Sequence, residues 1–150
     1  DVCSSDLDAA ILYGTPPPGA IHLFDEAITP VMAADAAPPA SPEALASMTF
    51  LHPTGDTRDW QLWLSAQNTR LTMTRNQHFS TMDLAISAAI QGFGVTVADI
   101  NLVESDLTNG RLIAPFASRV KTGAAYSLLQ RPVREAPPYL ADLAAWLSRA

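Results

Sequence analysis

Apolar residues in this chain come in short runs separated by turn signals, and their spacing switches between two periods. DAAILY is a brief apolar stretch closed by Gly14, the form expected of a strand buried on both faces. A stiff TPPPG connector follows, and LFDEAITPVMAAD then reads as extended. Pro30 within it has no N–H for a sheet ladder, which argues for an edge or crossover strand. AAPPASPEALASM ends in a helix start, with Ser41 as the N-cap and Pro42 where a missing N–H costs nothing. DWQLWLSAQ places Trp60, Trp63 and Leu64 on one helical face.

The middle of the chain is the most regular. In HFSTMDLAISAAIQGFGVTVADINLVESDLTNGRLIAPF, Ser80-Thr81-Met82-Asp83 has the S-x-x-D form of a capping box. A helix runs on through Leu84, Ile86, Ala89 and Ile90 to a stop at Gly92, where positive φ is easily adopted. Val95 to Ala98 form a short buried strand, Asp99 caps the next helix, and Gly110 ends it before the strand RLIAPF. Such helix–strand alternation calls for a parallel sheet with helices on its faces, an α/β class. AAYSLLQ adds a strand, and PPYLADLAAWLSRA closes as a helix with Leu140, Leu143, Ala144 and Leu147 on one stripe.

Composition narrows the function classes. The 150 residues are 48% hydrophobic, enough for one domain with a real core. Nine Lys and Arg stand against fifteen Asp and Glu, so the net charge is −6 and no basic patch is available to neutralise phosphates. One cysteine allows no internal disulfide and no cysteine-rich metal site, and it fits a reducing cytosol. No apolar run is long enough to span a bilayer.

Candidate chemistry is sparse. His22, His52 and His78 are far apart in sequence and none has a partner at metal-ligand spacing, so they read as polar loop or strand-end residues. Cys3 has no nearby base to make it a nucleophile. QGFGVTV lacks a third glycine, and its glycines follow a helix where a phosphate cradle would open one. Asp99 and Glu104 sit on or beside a helix start, where carboxylates are favoured by the dipole. Trp60, Trp63 and Trp146 read as packing helices against a sheet. Without an acid–base, nucleophilic, metal or cofactor constellation, a non-enzyme is expected. The Phe79-Ser80-Thr81 junction is suggestive of binding, since hydroxyls and free amides at a strand-to-helix turn suit a small anionic ligand.

FSTMDLAISAAIQGFGVTVADINLVESDLTNGRLIAPF resembles the effector-binding domain of LysR-type transcriptional regulators. The likeness lies in a phenylalanine and hydroxyl before an alanine-rich helix, then G-x-G-V, a short strand, a helix ending in x-G-x-L, and the P-F pair. DAAILYG, LFDEAITPVMAAD, DWQLWL, AAYSLLQ and the final W-L helix are similar to the flanking elements, so the resemblance extends from about Asp8 to Leu147. DWQxWL and Gly92-x-Gly94-Val point to the branch of the glycine-cleavage and β-lactamase activators.

This resemblance implies a bacterial regulator with a type 2 periplasmic-binding-protein-like fold, in which two α/β subdomains are joined by two crossover strands around an effector cleft. The second subdomain would cover about residues 27–121, and the first, incomplete here, residues 8–26 and 124–150. The family's ligand positions carry over to Ser80, Thr81 and Met82, to Tyr13 and Gly14, to Val97 and Asp99, and to Tyr126. Ala98-Asp99 stands where the family often has a proline. An acidic group there implies an effector with a donor or positive group, amino-acid-like or peptide-like. The resemblance further implies a cytoplasmic homodimer or tetramer that touches DNA through an N-terminal winged helix-turn-helix and has no membrane contact.

That helix-turn-helix is not among these residues, so the chain is expected to be a fragment. DVCSSDL does not match the family, and one back-translation of it is the end of a common sequencing adapter. Asp1 to Leu7 are therefore expected to be a reading artefact. The rival reading is the solute-binding protein of a transporter, which shares the two-lobed architecture; the x-G-x-L-x-x-P-F and tryptophan-helix pattern favours the regulator.

Overall fold

A computed structural model of the chain describes residues 8–130 and 137–148. Asp1 to Leu7, and with them Cys3, lie outside the described residues. The first elements are strands β1 (Ala9–Gly14) and β2 (Ile21–Ala33), a 3-10 helix at Pro42–Ser47, and strand β3 (Phe50–His52). Helix α1 (Arg58–Ala66), β4 (Asn76–His78), α2 (Met82–Ile90) and β5 (Val95–Asp99) follow. The chain then forms α3 (Ile100–Thr108), β6 (Leu112–Ile113), β7 (Val120–Gln130) and α4 (Pro138–Leu147). It divides into two compact units, Ala27–Thr122 and Asp1–Glu26 with Gly123–Ala150, so β2 and β7 each run across the division.

In the unit Ala27–Thr122, β3 pairs in parallel with both β4 and β5, while β2 is antiparallel to β5 and to β6. The sheet is therefore mixed, and parallel only around β3, where α1 and α2 supply the crossover connections that parallel neighbours need. The strand period of two sorts the core into two layers. Ile28, Met32, Phe50, Val95 and Val97 pack with Leu45, Trp60 and Trp63. Val31, Leu51 and Ala98 pack with Ile86, Ala89 and Val103. Helix α1 thus covers one face, and α2 and α3 the other. Trp60 and Trp63 are fully buried, and each indole N–H donates to a carbonyl, of Leu51 at 3.1 Å and of Ser118 at 3.2 Å. Buried indoles need such an acceptor.

The glycines after α2 have separate tasks. Gly92 has φ +80° and ends the helix, its amide donating to the Ala89 carbonyl. Gly94 starts the approach to β5, and a Cβ there would lie 2.3 Å from the Thr49 carbonyl oxygen. Both are structural, as expected.

In the smaller unit, β1 pairs antiparallel with β7, from Ala9 opposite Gln130 to Gly14 opposite Ala125. Contrary to expectation β1 is not buried on both faces, because Ile11 and Tyr13 are 57% and 59% exposed. Trp146, read as packing a helix against a sheet, is 65% exposed; of the α4 stripe only Leu140 is buried. Two caps also differ from the sequence pattern. Thr81, not Ser80, caps α2, its Oγ1 accepting from the Leu84 amide at 3.4 Å. Ser41 precedes a 3-10 turn without capping it; its hydroxyl instead bonds the Glu43 carboxylate and, with the Glu43 amide and Thr69, holds that carboxyl below its ordinary pKa.

Candidate functional site

Strands β3, β4 and β5 lead into α1, α2 and α3. Their carboxyl ends therefore gather His52, His78 and Asp99 together with three helix starts. Open α/β sheets bind ligands at such an edge. Ser80 and Thr81 lie in the turn between β4 and α2, and both are exposed. Thr81 spends its oxygen on the cap, whereas the Ser80 hydroxyl has no hydrogen-bond partner among the described residues.

Met82 and Asp99 meet at this edge, the Met82 sulfur accepting from the Asp99 amide at 3.4 Å. Asp99 itself is fully buried. Its Oδ1 accepts from the Asn101 amide at 3.2 Å, the Asn101 side-chain nitrogen at 3.0 Å and the Ala27 amide at 3.4 Å. That is a helix cap which also pins β2, and it does not present an open carboxylate to solvent. Val97 is fully buried, with its side chain in the core beside Trp63. Val97 and Asp99 thus shape the edge from behind it, and a buried, capping Asp99 lends no support to the donor-bearing or positive effector expected from an acidic group there.

Tyr13, Gly14 and Tyr126 belong to the smaller unit. Tyr13 stands opposite Tyr126 in the β1–β7 ladder, with ring centroids 5.2 Å apart, and Phe24 lies 4.7 Å from Tyr126. The Tyr13 hydroxyl donates to Glu26 Oε2 at 2.8 Å. Gly14 ends β1 with φ +122°, a conformation that side-chain-bearing residues rarely adopt.

Several residues at the edge of the larger unit escaped the sequence pattern. His52, read as a polar loop or strand-end residue, does end a strand but is fully buried, and its ring stacks on His78 at 4.3 Å and 14°. Burial is the main cause holding its pKa below the ordinary imidazole value. In the loop after β3, the Arg58 guanidinium and amide bond the Asp56 carboxylate and hold its pKa far below the usual range. The signal that could have found the pair is that FLH and NQH both end in His before a loop leading to a helix. A groove of about 490 Å³ also lies in this unit, lined by Leu51, Phe79, Leu84, Ala88 and Phe93 with Thr49, Gln77, Ser87 and Gln91. Among the described residues no cluster of three or more His, Cys, Asp or Glu could hold a metal ion, and no helix is long and apolar enough to cross a membrane.

The family model described as the LysR substrate binding domain matches residues 1–150. The chain belongs to the LysR substrate-binding domain family. It is 30% identical over 151 residues to the HTH-type transcriptional regulator TrpI of Pseudomonas aeruginosa, covering 94% of this chain and 50% of that protein. To the glycine cleavage system transcriptional activator of Escherichia coli K12 it is 32% identical over 124 residues, covering 77% and 40%. The chain thus spans about half the length, or less, of these curated relatives. Among solved structures, the effector domain of the regulator AmpR of Pseudomonas aeruginosa matches with a TM-score of 0.78 and 28% identity, over 99% of this chain and 74% of that one. The AmpR effector-binding domain from Citrobacter freundii, 20% identical, shares the fold with a TM-score of 0.79 over 99% of this chain and 76% of that one. This LysR domain has the expected type 2 periplasmic-binding-protein-like α/β fold. Its named relatives are transcriptional regulators and not enzymes, which favours the regulator over the transporter reading.

Proposed function

We propose that this LysR domain is the effector-binding part of a cytoplasmic regulator, in which a small polar molecule alters promoter binding by the whole protein. On this reading the whole protein is a homodimer or tetramer and touches DNA through a helix-turn-helix. The family match over residues 1–150 carries the proposal. An acidic surface with fifteen Asp and Glu against nine Lys and Arg supports a division of labour in which this part does not bind DNA.

The proposed contact residues are Ser80, Thr81 and Met82 at the start of α2, with Tyr13, Gly14 and Tyr126 on the smaller unit. Val97 and Asp99 act behind the edge as core and cap. An exposed hydroxyl pair at a helix start suits a carboxylate, which keeps an amino-acid-like or peptide-like effector as the leading class.

A thermal-shift screen of amino acids and short peptides tests this, with every hit repeated on Ser80→Ala. Loss of one ligand hydrogen bond costs about 1 kcal/mol, roughly five- to tenfold in affinity, with the Tm of the ligand-free protein unchanged. Hits that shift wild type and Ser80→Ala equally would remove Ser80 from the site.

A further inference from the structure

His52 and His78 end neighbouring parallel strands at matching positions, His52 opposite His78 in the β3–β4 ladder. Asn76 settles the proton on the buried ring. Its side-chain nitrogen donates to the Met73 carbonyl at 2.7 Å, so its oxygen faces His52 Nε2 at 2.8 Å and must accept from it. The remaining nitrogen, Nδ1, therefore carries the lone pair, and it is buried without a hydrogen-bond partner. On His78, an exposed residue, Nδ1 lies 3.1 Å from the Thr54 carbonyl and donates to it.

Protonating the buried His52 ring is costly. A proton on His52 Nδ1 would create a buried donor with no acceptor and set a second positive charge against the ring stacked on it. The surroundings offer little compensation. From the loop after β3, Asp56 favours the charged ring, but its carboxylate is already engaged by Arg58. Strand β4 brings no carboxylate. Asp83 in the first turn of α2 is not among the groups acting on His52, and Asp99 at the end of β5 is committed to amides.

The edge strand is lightly held. β4 pairs with β3 over three residue positions, all exposed on the β4 side. The Phe79 amide then donates to the His52 carbonyl at 2.9 Å, immediately before the Ser80–Thr81 turn.

We propose that the His52–His78 stack is a proton-operated latch, which holds β4 and the start of α2 against β3 while the His52 ring is neutral and releases them when it takes up a proton. The latch stands on the stack alone; only its effect on an effector rests on the function proposed above, and the test reads the strand and not a ligand.

Because the folded value of His52 is depressed, its stabilising effect is complete well above the ordinary imidazole value of about 6.5 and is lost as pH falls from there toward the depressed value. Hydrogen exchange of the full chain between pH 7.5 and 5.5, corrected for intrinsic rates, reads this directly. Opening of residues 76–84 should rise up to about tenfold per pH unit within that window, while residues 95–99 stay protected. His78→Phe keeps a ring in the stack without the charge and should flatten the response. In wild type, imidazole C–H resonances should show His52 titrating below the ordinary imidazole value. Protection of 76–84 that does not change with pH, a response undiminished in His78→Phe, or His52 titrating at or above the ordinary imidazole value would each overturn the latch.

Discussion

Trp63 and Trp146 both sit on short helices with an apolar stripe, yet Trp63 is fully buried and Trp146 is 65% exposed. The contrast extends to their whole units. In Ala27–Thr122 each sheet face has a helix layer, and the strands β3 and β5 bury both alternating sets of side chains. In the smaller unit the buried apolar residues among those described are Ala125, Leu128 and Leu140, while Ile11, Tyr13, Tyr139, Leu143 and Trp146 are exposed. Amphipathic periodicity specifies which face of a helix is apolar. Whether that face is buried depends on a second layer being present.

Truncating the central tryptophan tests this contrast most strongly. Trp63→Ala removes a buried ring packed on Trp60 and Phe116 and should cost about 3–5 kcal/mol in urea unfolding. A loss below 1 kcal/mol would mean the core of the larger unit is not where the stability lies. Gly94→Ala should come next, at about 1–3 kcal/mol, because the added methyl meets backbone and not a flexible side-chain end. Thr81→Ala should cost about 0.5–1 kcal/mol by removing the α2 cap, with Ser80→Ala near zero; the reverse order would restore Ser80 as the cap. Trp146→Ala should fall within about 0.5 kcal/mol, and a loss comparable to that of Trp63→Ala would erase the contrast.

Where the local pattern was strong, the elements were legible. The buried run Val95–Ala98, the Trp60-Trp63-Leu64 face of α1, the Asp99 cap of α3 and the stop at Gly92 all follow from period, cap or positive φ. β3 was not legible, because FLH is too short for any period to be read from it. Its place comes from pairing with β4 and β5, partners far along the chain. At the candidate site the residue types pointed to the Ser80–Thr81 turn but not to which hydroxyl would cap, because adjacent Ser and Thr satisfy the same pattern one residue apart.

What the sequence by itself determined is the class of the chain, its family, and the short-range devices of its helices and turns. These depend on neighbours a few residues away, and side-chain spacing encodes such contacts directly. Only the tertiary structure decided which apolar faces are covered, that Asp99 is a buried cap, and that His52 and His78 share a stack. Each of those is set by contacts between residues distant in the chain. His52 lies 26 positions from its ring partner yet 4.3 Å from it in space, because parallel pairing of β3 with β4 puts both at the same level of the sheet.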